Sequence, residues 1–339
     1  MASTKKILVT GGAGFIGAHT AYELMESGFF PVILDDFSAC DDTLLKGLGK
    51  LSDKPSVFYK GSCEDAVLLA QIFETEKIEA VIHFAAFKSV GESVKNPLKY
   101  YSNNIHSLVV LLQTMHRYGV NHLIFSSSCT VYGQPDKIPV DERAPIKRAE
   151  SPYGATKQMG ERILEDAVIA HENLRVISLR YFNPIGAHPS SFIGELALGV
   201  PNNLVPYVTQ VAAGKREKLT VFGNDYQTSD GSCVRDYIHV VDLAKAHVQA
   251  LQKINSFDDR FEVFNLGTGK GVTVLELIAA FEKSTGVKVN YSIGPRREGD
   301  VEQVYANPTK ANQMLQWETK LSLEQALLDA WRWEKKIET

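Results

Sequence analysis

Tyr153 and Lys157 lie four residues apart, directly after Ser151-Pro152. A helix starting near Pro152 sets the two side chains one turn apart on one face. A free phenol titrates at roughly 10 and is a poor base at neutral pH. A neighbouring ammonium favours the phenolate and lowers that value. The pair has the chemistry to draw a proton from a sugar or alcohol hydroxyl. By itself the spacing also fits an ordinary surface helix, so the rest of the chain must supply a reaction partner.

That partner is suggested near the N-terminus. Lys6–Thr10 reads as a buried strand, followed at once by Gly11-Gly12-Ala13-Gly14-Phe15-Ile16-Gly17 and an amphipathic stretch to Ser27. Strand, glycine turn and helix are the parts of a dinucleotide site. Gly11 makes the tight turn, Gly14 admits a pyrophosphate, Gly17 lets helix approach strand, and the helix N-terminus offers N–H donors. A second strand, Val32-Ile33-Leu34, ends in Asp35-Asp36, eighteen residues past Gly17. A carboxylate there accepts from the adenosine ribose and repels a 2′-phosphate, which predicts NAD rather than NADP. A mononucleotide site, a flavin site or an empty turn would need the glycines but not the acid.

The elements that must position these residues alternate along the chain. Strands are predicted at Val57–Lys60, Ala80–Phe84, His122–Ser126 and Val176–Leu179, with helices at Leu68–Phe73, Pro97–Tyr118 and from Tyr153 onward. This alternation predicts an α/β fold with a doubly wound parallel Rossmann sheet. Ligands lie beyond the carboxyl ends of such strands. Gly11, Asp35, Ala85-Ala86 and Ser126-Ser127-Ser128 all fall there. After Asn183 the texture changes to a Gly-, Pro- and Ser-rich stretch. Short strands at Leu219–Phe222 and Phe264–Leu266, and helices at Val274–Thr285, Thr309–Leu315 and Leu323–Lys336, suggest a smaller α/β substrate lobe. The expected division is residues 1–182 for NAD and 183–339 for substrate, with a helix over Tyr237–Ile254 (a segment near 235–255) returning to the first domain.

Bulk composition excludes several classes. A chain of 339 residues with 44% hydrophobic and 22% charged residues is ordinary for a globular enzyme of two lobes. A net charge of −4 argues against nucleic acid or an anionic membrane as partner. No apolar run is long enough for a bilayer span. Met1–Lys6 leads directly into a strand, so no signal peptide is expected and a cytoplasmic location is. Cys40, Cys63, Cys129 and Cys233 are scattered, as are the nine histidines, so free thiols and no metal site are expected. His83, within an apolar run, reads as a structural residue.

Taken together, the motifs resemble the extended short-chain dehydrogenase/reductase superfamily and, within it, the UDP-galactose (UDP-glucose) 4-epimerase family. The resemblance covers nearly the whole chain. Beside the glycine turn it is carried by 83–93 (HFAAFKSVGES), 100–104 (YYSNN), 125–133 (FSSSCTVYG), 151–154 (SPYG), 179–183 (LRYFN), 201–204 (PNNL), 230–237 (DGSCVRDY) and 296–300 (RREGD). It implies an isomerase using oxidoreductase chemistry on a UDP-hexose. Tyr153 would be the base on the 4-hydroxyl, Lys157 would lower its pKa and meet the nicotinamide ribose, and Ser128 would relay the proton. A 4-keto sugar would turn about its link to UDP before the hydride returns. Asp35 and Asp36 match the adenosine-ribose contacts, Lys88 a pyrophosphate contact, and Asn103 and Tyr181 the nicotinamide side. Ser62, Cys63, Phe84, Ala85, Ala86 and Ser126 complete the cofactor side. Asn183, Asn203, Leu204 and Phe222 match the UDP site, with Thr130 and Phe182 beside the sugar. Arg235 and Arg297 match the diphosphate contacts, where a planar cation suits phosphate oxygens. Asp300 matches the uridine ribose. The family pairs the helices 97–118 and 153–171 between two copies, which implies a homodimer.

Two positions depart from the family. Ser62 stands where an acid usually meets the adenine amino group, leaving a weaker, neutral acceptor. Val304 stands where some members have a tyrosine walling the hexose, with Tyr305 following. A small residue there leaves room for a 2-acetamido group, so UDP-GlcNAc and UDP-GalNAc are expected as substrates too. Rival readings are a nucleotide-sugar dehydratase, a net reductase or dehydrogenase, and a non-catalytic NAD-binding scaffold. Dehydratases of this kind carry Thr-Asp-Glu or a close variant where this chain has Ser128-Cys129-Thr130. A reductase would release NADH, and a scaffold has no use for Ser128, Tyr153 and Lys157 together.

Overall fold

The computed structural model describes residues 4–297 and 301–337. Its first half alternates strictly: β1 (Lys6–Thr10), α1 (Phe15–Glu26), β2 (Phe30–Asp35), α2 (Thr43–Leu51), β3 (Val57–Lys60), α3 (Ala66–Glu76) and β4 (Ala80–His83). Then come α4 (Val90–Lys95), α5 (Pro97–Arg117), β5 (His122–Ser128), α6 (Pro152–Ala170) and β6 (Arg175–Tyr181). The remainder is more broken: β7 (Asn183–Ile185), α7 (Leu204–Ala212), β8 (Leu219–Phe222), β9 (Val234–Arg235), β10 (Tyr237–His239), α8 (Val240–Lys253) and β11 (Phe261–Leu266). It ends with β12 (Val272–Thr273), α9 (Val274–Thr285), β13 (Tyr291–Gly294), β14 (Gln303–Val304) and α10 (Leu323–Lys336).

Seven strands form one parallel sheet in the order β11-β6-β5-β4-β1-β2-β3. Its central strands carry near-continuous apolar runs because helices cover both faces; β4 is buried at every residue. One face packs Ile7, Val9, Ile82, Ile124 and Ile177 against α8, and the other packs Leu8, Val81, Leu123 and Val176 against α3, α5 and α6. The strand order reverses between β1 and β4, which opens a crevice at their carboxyl ends.

Two elements differ from the sequence-based expectation. Phe264–Leu266 does not belong to a separate lobe: it lies in β11, the seventh strand of the main sheet, in register with β6. The stretch 237–254 is not a single helix. Tyr237–His239 pairs with β7, and the helix begins at Val240, where His239 Nδ1 accepts from Val241 N–H as a cap. α8 then packs on α1 and the sheet. The smaller sheets are β12-β9-β14 and the β13–β8 and β10–β7 pairs. They rest on a separate core of α7, α9 and α10 that includes Val208, Leu277, Phe281 and Leu327.

Candidate active site

At the reversal point the backbone is packed to contact. Gly11 has φ +69°, and a Cβ on it would lie 2.7 Å from Ala85 N. A Cβ on Gly17 would lie 2.3 Å from Gly11 O. Neither position accepts a side chain without moving backbone. Gly14 is the N-cap of α1 and supplies no capping side chain, so the first helical N–H groups stay available to an anion. Asp35 closes the turn: Oδ2 accepts from Ala13 N at 3.1 Å and Oδ1 from Phe37 N at 3.0 Å. Burial raises its pKa, and these N–H groups oppose the rise. This cradle of N–H donors with a carboxylate at its end fits NAD.

Asp36 is exposed and accepts from Ser38 N. Ser62 Oγ accepts from Glu64 N at 3.1 Å. The Phe15 and Cys63 side chains turn into the core, the thiol toward Ser107 O, so backbone groups are what these residues can offer a ligand. Ile16 is partly buried beside both the main core and Phe15. Phe84 packs on His247, with ring centroids 4.8 Å apart.

Across the crevice, Ser126 and Ser128 end β5, Tyr153 opens α6, and Tyr181 ends β6. Ser151 caps α6 through Gly154 N, and Pro152 fixes its first turn, which sets where Tyr153 emerges. Lys157 Nζ donates to Ser126 O at 2.6 Å and lies 5.9 Å from the Tyr153 ring centroid. Burial pulls Lys157 down to about 8 while Glu161 pushes upward. Tyr153 runs against expectation: burial pushes it up to about 12, and its hydrogen bond with Ser128 only partly offsets this. In the protein alone, desolvation of the phenol outweighs the Ser128 hydrogen bond.

Asn103 Nδ2 donates to Asn104 Oδ1, and Asn104 in turn ties Phe87 to Thr156, joining the loop after β4 to the catalytic helix. Neither that role of Asn104 nor His247, whose Nε2 meets Tyr181 OH at 3.1 Å, was inferred from sequence. The Asn103-Asn104 doublet was the available signal for the first. Nothing local pointed to His247.

On the substrate side, Thr130 N donates to Ser128 Oγ, while Thr130 Oγ1 is buried with no protein partner. Asn183 starts β7, and Asn203 stands just before Leu204 at the start of α7 without a side-chain capping bond. Lys88 and Asn203 both donate to the Glu195 carboxylate. Arg297 lies over the Phe222 ring at 5.7 Å. Arg235 Nη1 donates to Val234 O at 2.8 Å, which orients its fork. Val304 pairs in register with Arg235 and packs with Phe182 and Val131. Asp300 lies outside the described residues.

A parallel sheet with a glycine turn, an acid after β2 and a Ser–Tyr–Lys constellation defines an NAD-dependent enzyme of the extended short-chain dehydrogenase/reductase class. The family model described as GDP-mannose 4,6 dehydratase matches residues 8–329. A Bacillus subtilis UDP-glucose 4-epimerase is 50% identical over 97% of this chain and 96% of its own length. A UDP-glucose 4-epimerase from Bifidobacterium longum, solved in complex with NAD+ and UDP, superposes with a TM-score of 0.94 at 43% identity, covering 98% of each chain. A UDP-Glc/GlcNAc 4-epimerase from Campylobacter jejuni gives 0.84 at 37%, covering 98% of this chain and 99% of that one. The chain belongs to the UDP-glucose 4-epimerase family.

Proposed function

We propose that this protein inverts C4 of UDP-hexoses, interconverting UDP-glucose and UDP-galactose through a transient 4-keto sugar. The observation that carries the reading is Ser128, Tyr153 and Lys157 meeting beside the glycine turn. When bound on Gly11–Gly17, Asp35 and Lys157, NAD supplies the acceptor and later the donor of the C4 hydride. Tyr153 and Ser128 hold the 4-oxygen between them, so the proton leaves and returns along their hydrogen bond. A phenol pushed up to about 12 needs added positive charge to ionise near neutrality. The base therefore forms as the crevice fills. Arg235 and Arg297 hold the diphosphate, leaving the hexose free to turn. Ser128-Cys129-Thr130 lacks the acids that a dehydratase of this superfamily uses.

Val304 supports a wider pocket. Its short side chain leaves space for a 2-acetamido group, so the UDP-GlcNAc/UDP-GalNAc pair is a second substrate set. We also assign a homodimer built on 97–118 and 153–171. Leu98, Met159 and Ile169 on these helices are 79%, 45% and 77% exposed, apolar surface that a second copy would cover. The test is to purify the protein, add no cofactor, and analyse products from UDP-galactose, UDP-GalNAc and their C4 epimers. Turnover of both pairs with no NADH released is the expected result. Loss of water from the product, or accumulating NADH, would replace the reading; inactivity toward the acetamido pair alone would remove its second half.

A further inference from the structure

Glu161 is 5% exposed and lies one turn beyond Lys157 and two beyond Tyr153 on α6. Its Oε1 accepts from Ser127 Oγ at 2.7 Å, Ser178 Oγ at 2.8 Å and Arg180 Nε at 2.9 Å. Its Oε2 accepts from Arg180 Nη2 at 2.6 Å. Arg180 Nη1 continues to Tyr132 OH at 2.9 Å, and Tyr132 donates to Asn265 on β11 at 2.7 Å.

The partners are notable for their neighbours. Ser127 sits between Ser126, whose carbonyl receives Lys157, and Ser128, which bonds Tyr153. Arg180 directly precedes Tyr181. Side chains alternate across a strand, so Ser127 and Arg180 face α6 while their neighbours line the crevice. One carboxylate thus joins the three elements that present the reacting groups. A buried ion pair adds little stability over apolar groups of the same volume. Its effect here is on geometry and field.

We propose that Glu161 is a positioning residue for the Tyr153–Lys157 pair, clamping α6 to the carboxyl ends of β5 and β6 and setting a fixed negative charge behind the lysine. The inference rests on Tyr153 and Lys157 being the catalytic pair. The groups facing Lys157 are Tyr153 and Glu161 on its own helix and His83 and Phe125 from the sheet, with the Ser126 carbonyl accepting from it. Burial pulls His83 down to about 3, so it stays uncharged and adds no second cation beside Lys157. Arg180 lies beyond Glu161, against Tyr132.

The test compares kcat against pH for the wild-type holoenzyme, Glu161→Gln, Glu161→Asp and the neutral pair Glu161→Gln/Arg180→Met, with Tyr153→Phe alongside. Without the carboxylate charge the alkaline limb moves down by about one pH unit. kcat falls roughly tenfold through loss of alignment, with KM little changed. Glu161→Asp retains the charge and keeps the alkaline limb in place at reduced kcat. The double variant removes the stranded arginine, so it separates the pH effect from misfolding. A double variant whose profile superposes on wild type makes the clamp merely structural and overturns the proposal. If both glutamine variants fail to fold, an Asp variant with wild-type kcat overturns it equally. Should Tyr153→Phe remain active, the failure lies with the catalytic pair rather than with Glu161.

Discussion

At the ends of β1 and β2, ligand recognition rests on backbone packed to van der Waals contact. Gly17 and Gly11 touch, Gly11 touches Ala85, and Asp35 already accepts two N–H groups. The proposed substrate side, at β8, β9 and β14, presents long side chains over two- to four-residue strands. Phe222 is 42% exposed, and Arg297 lies over its ring. The first arrangement suits a group that stays through many turnovers. The second suits one that arrives, turns and leaves, because side chains exchange partners faster and at less strain than packed backbone.

This contrast can be broken at three places. The largest effect is expected at Lys157, buried beside Tyr153. Lys157→Met should lower kcat about a thousandfold through loss of proton-transfer support. It also has a stability signature. Folding lowers the lysine from 10.5 to about 8, so between those values the unfolded chain binds more protons and wild-type stability rises with pH. Below about 8 both states are protonated, and the full unfavourable contribution of the buried charge is present. The Tm difference, variant minus wild type, should therefore shrink from pH 8 to pH 10.5, as calorimetry at stepped pH can check. A flat difference would contradict the burial argument.

Next is Gly17→Ala. Its Cβ would press on Gly11 O at 2.3 Å, where only backbone can give way. Overpacking of about 1–3 kcal/mol corresponds to a loss of NAD affinity of about five- to 150-fold. It is read as cofactor remaining after gel filtration, and full retention would show that the turn is softer than it looks. The smallest effect is expected on the substrate side. Arg235→Lys should raise KM for the UDP-sugar by about tenfold as bidentate contact is lost. Retained NAD should not change, and an equal loss of cofactor would erase the distinction between the halves.

The parts of the molecule legible in sequence are those whose geometry is local. The β1–glycine turn–α1 unit, Asp35 at the end of β2, and Pro152-Tyr153 at the start of α6 each depend on residues adjacent in the chain. β11 was misplaced because a parallel pairing carries no local mark: Phe261–Leu266 finds β6 only through the sheet. The Tyr153 environment is only partly legible, for a related reason. Helical spacing announces the lysine, whereas the burial that raises the phenol is tertiary. Glu161 escaped notice because an acid on an amphipathic helix ordinarily faces water, and only the arrival of Arg180 and two serines makes it an interior group.

The late arrival of β11 also bears on how the chain is made. Some eighty residues separate the end of β6 from the start of β11. At about 5–20 residues per second on the ribosome, they take several seconds to emerge. Throughout that interval the outer edge of β6 (Arg175–Tyr181) stands without its neighbour, an apolar parallel edge able to recruit another nascent chain. The strand that finishes the nucleotide-binding sheet is therefore also the one that ends its exposure during synthesis.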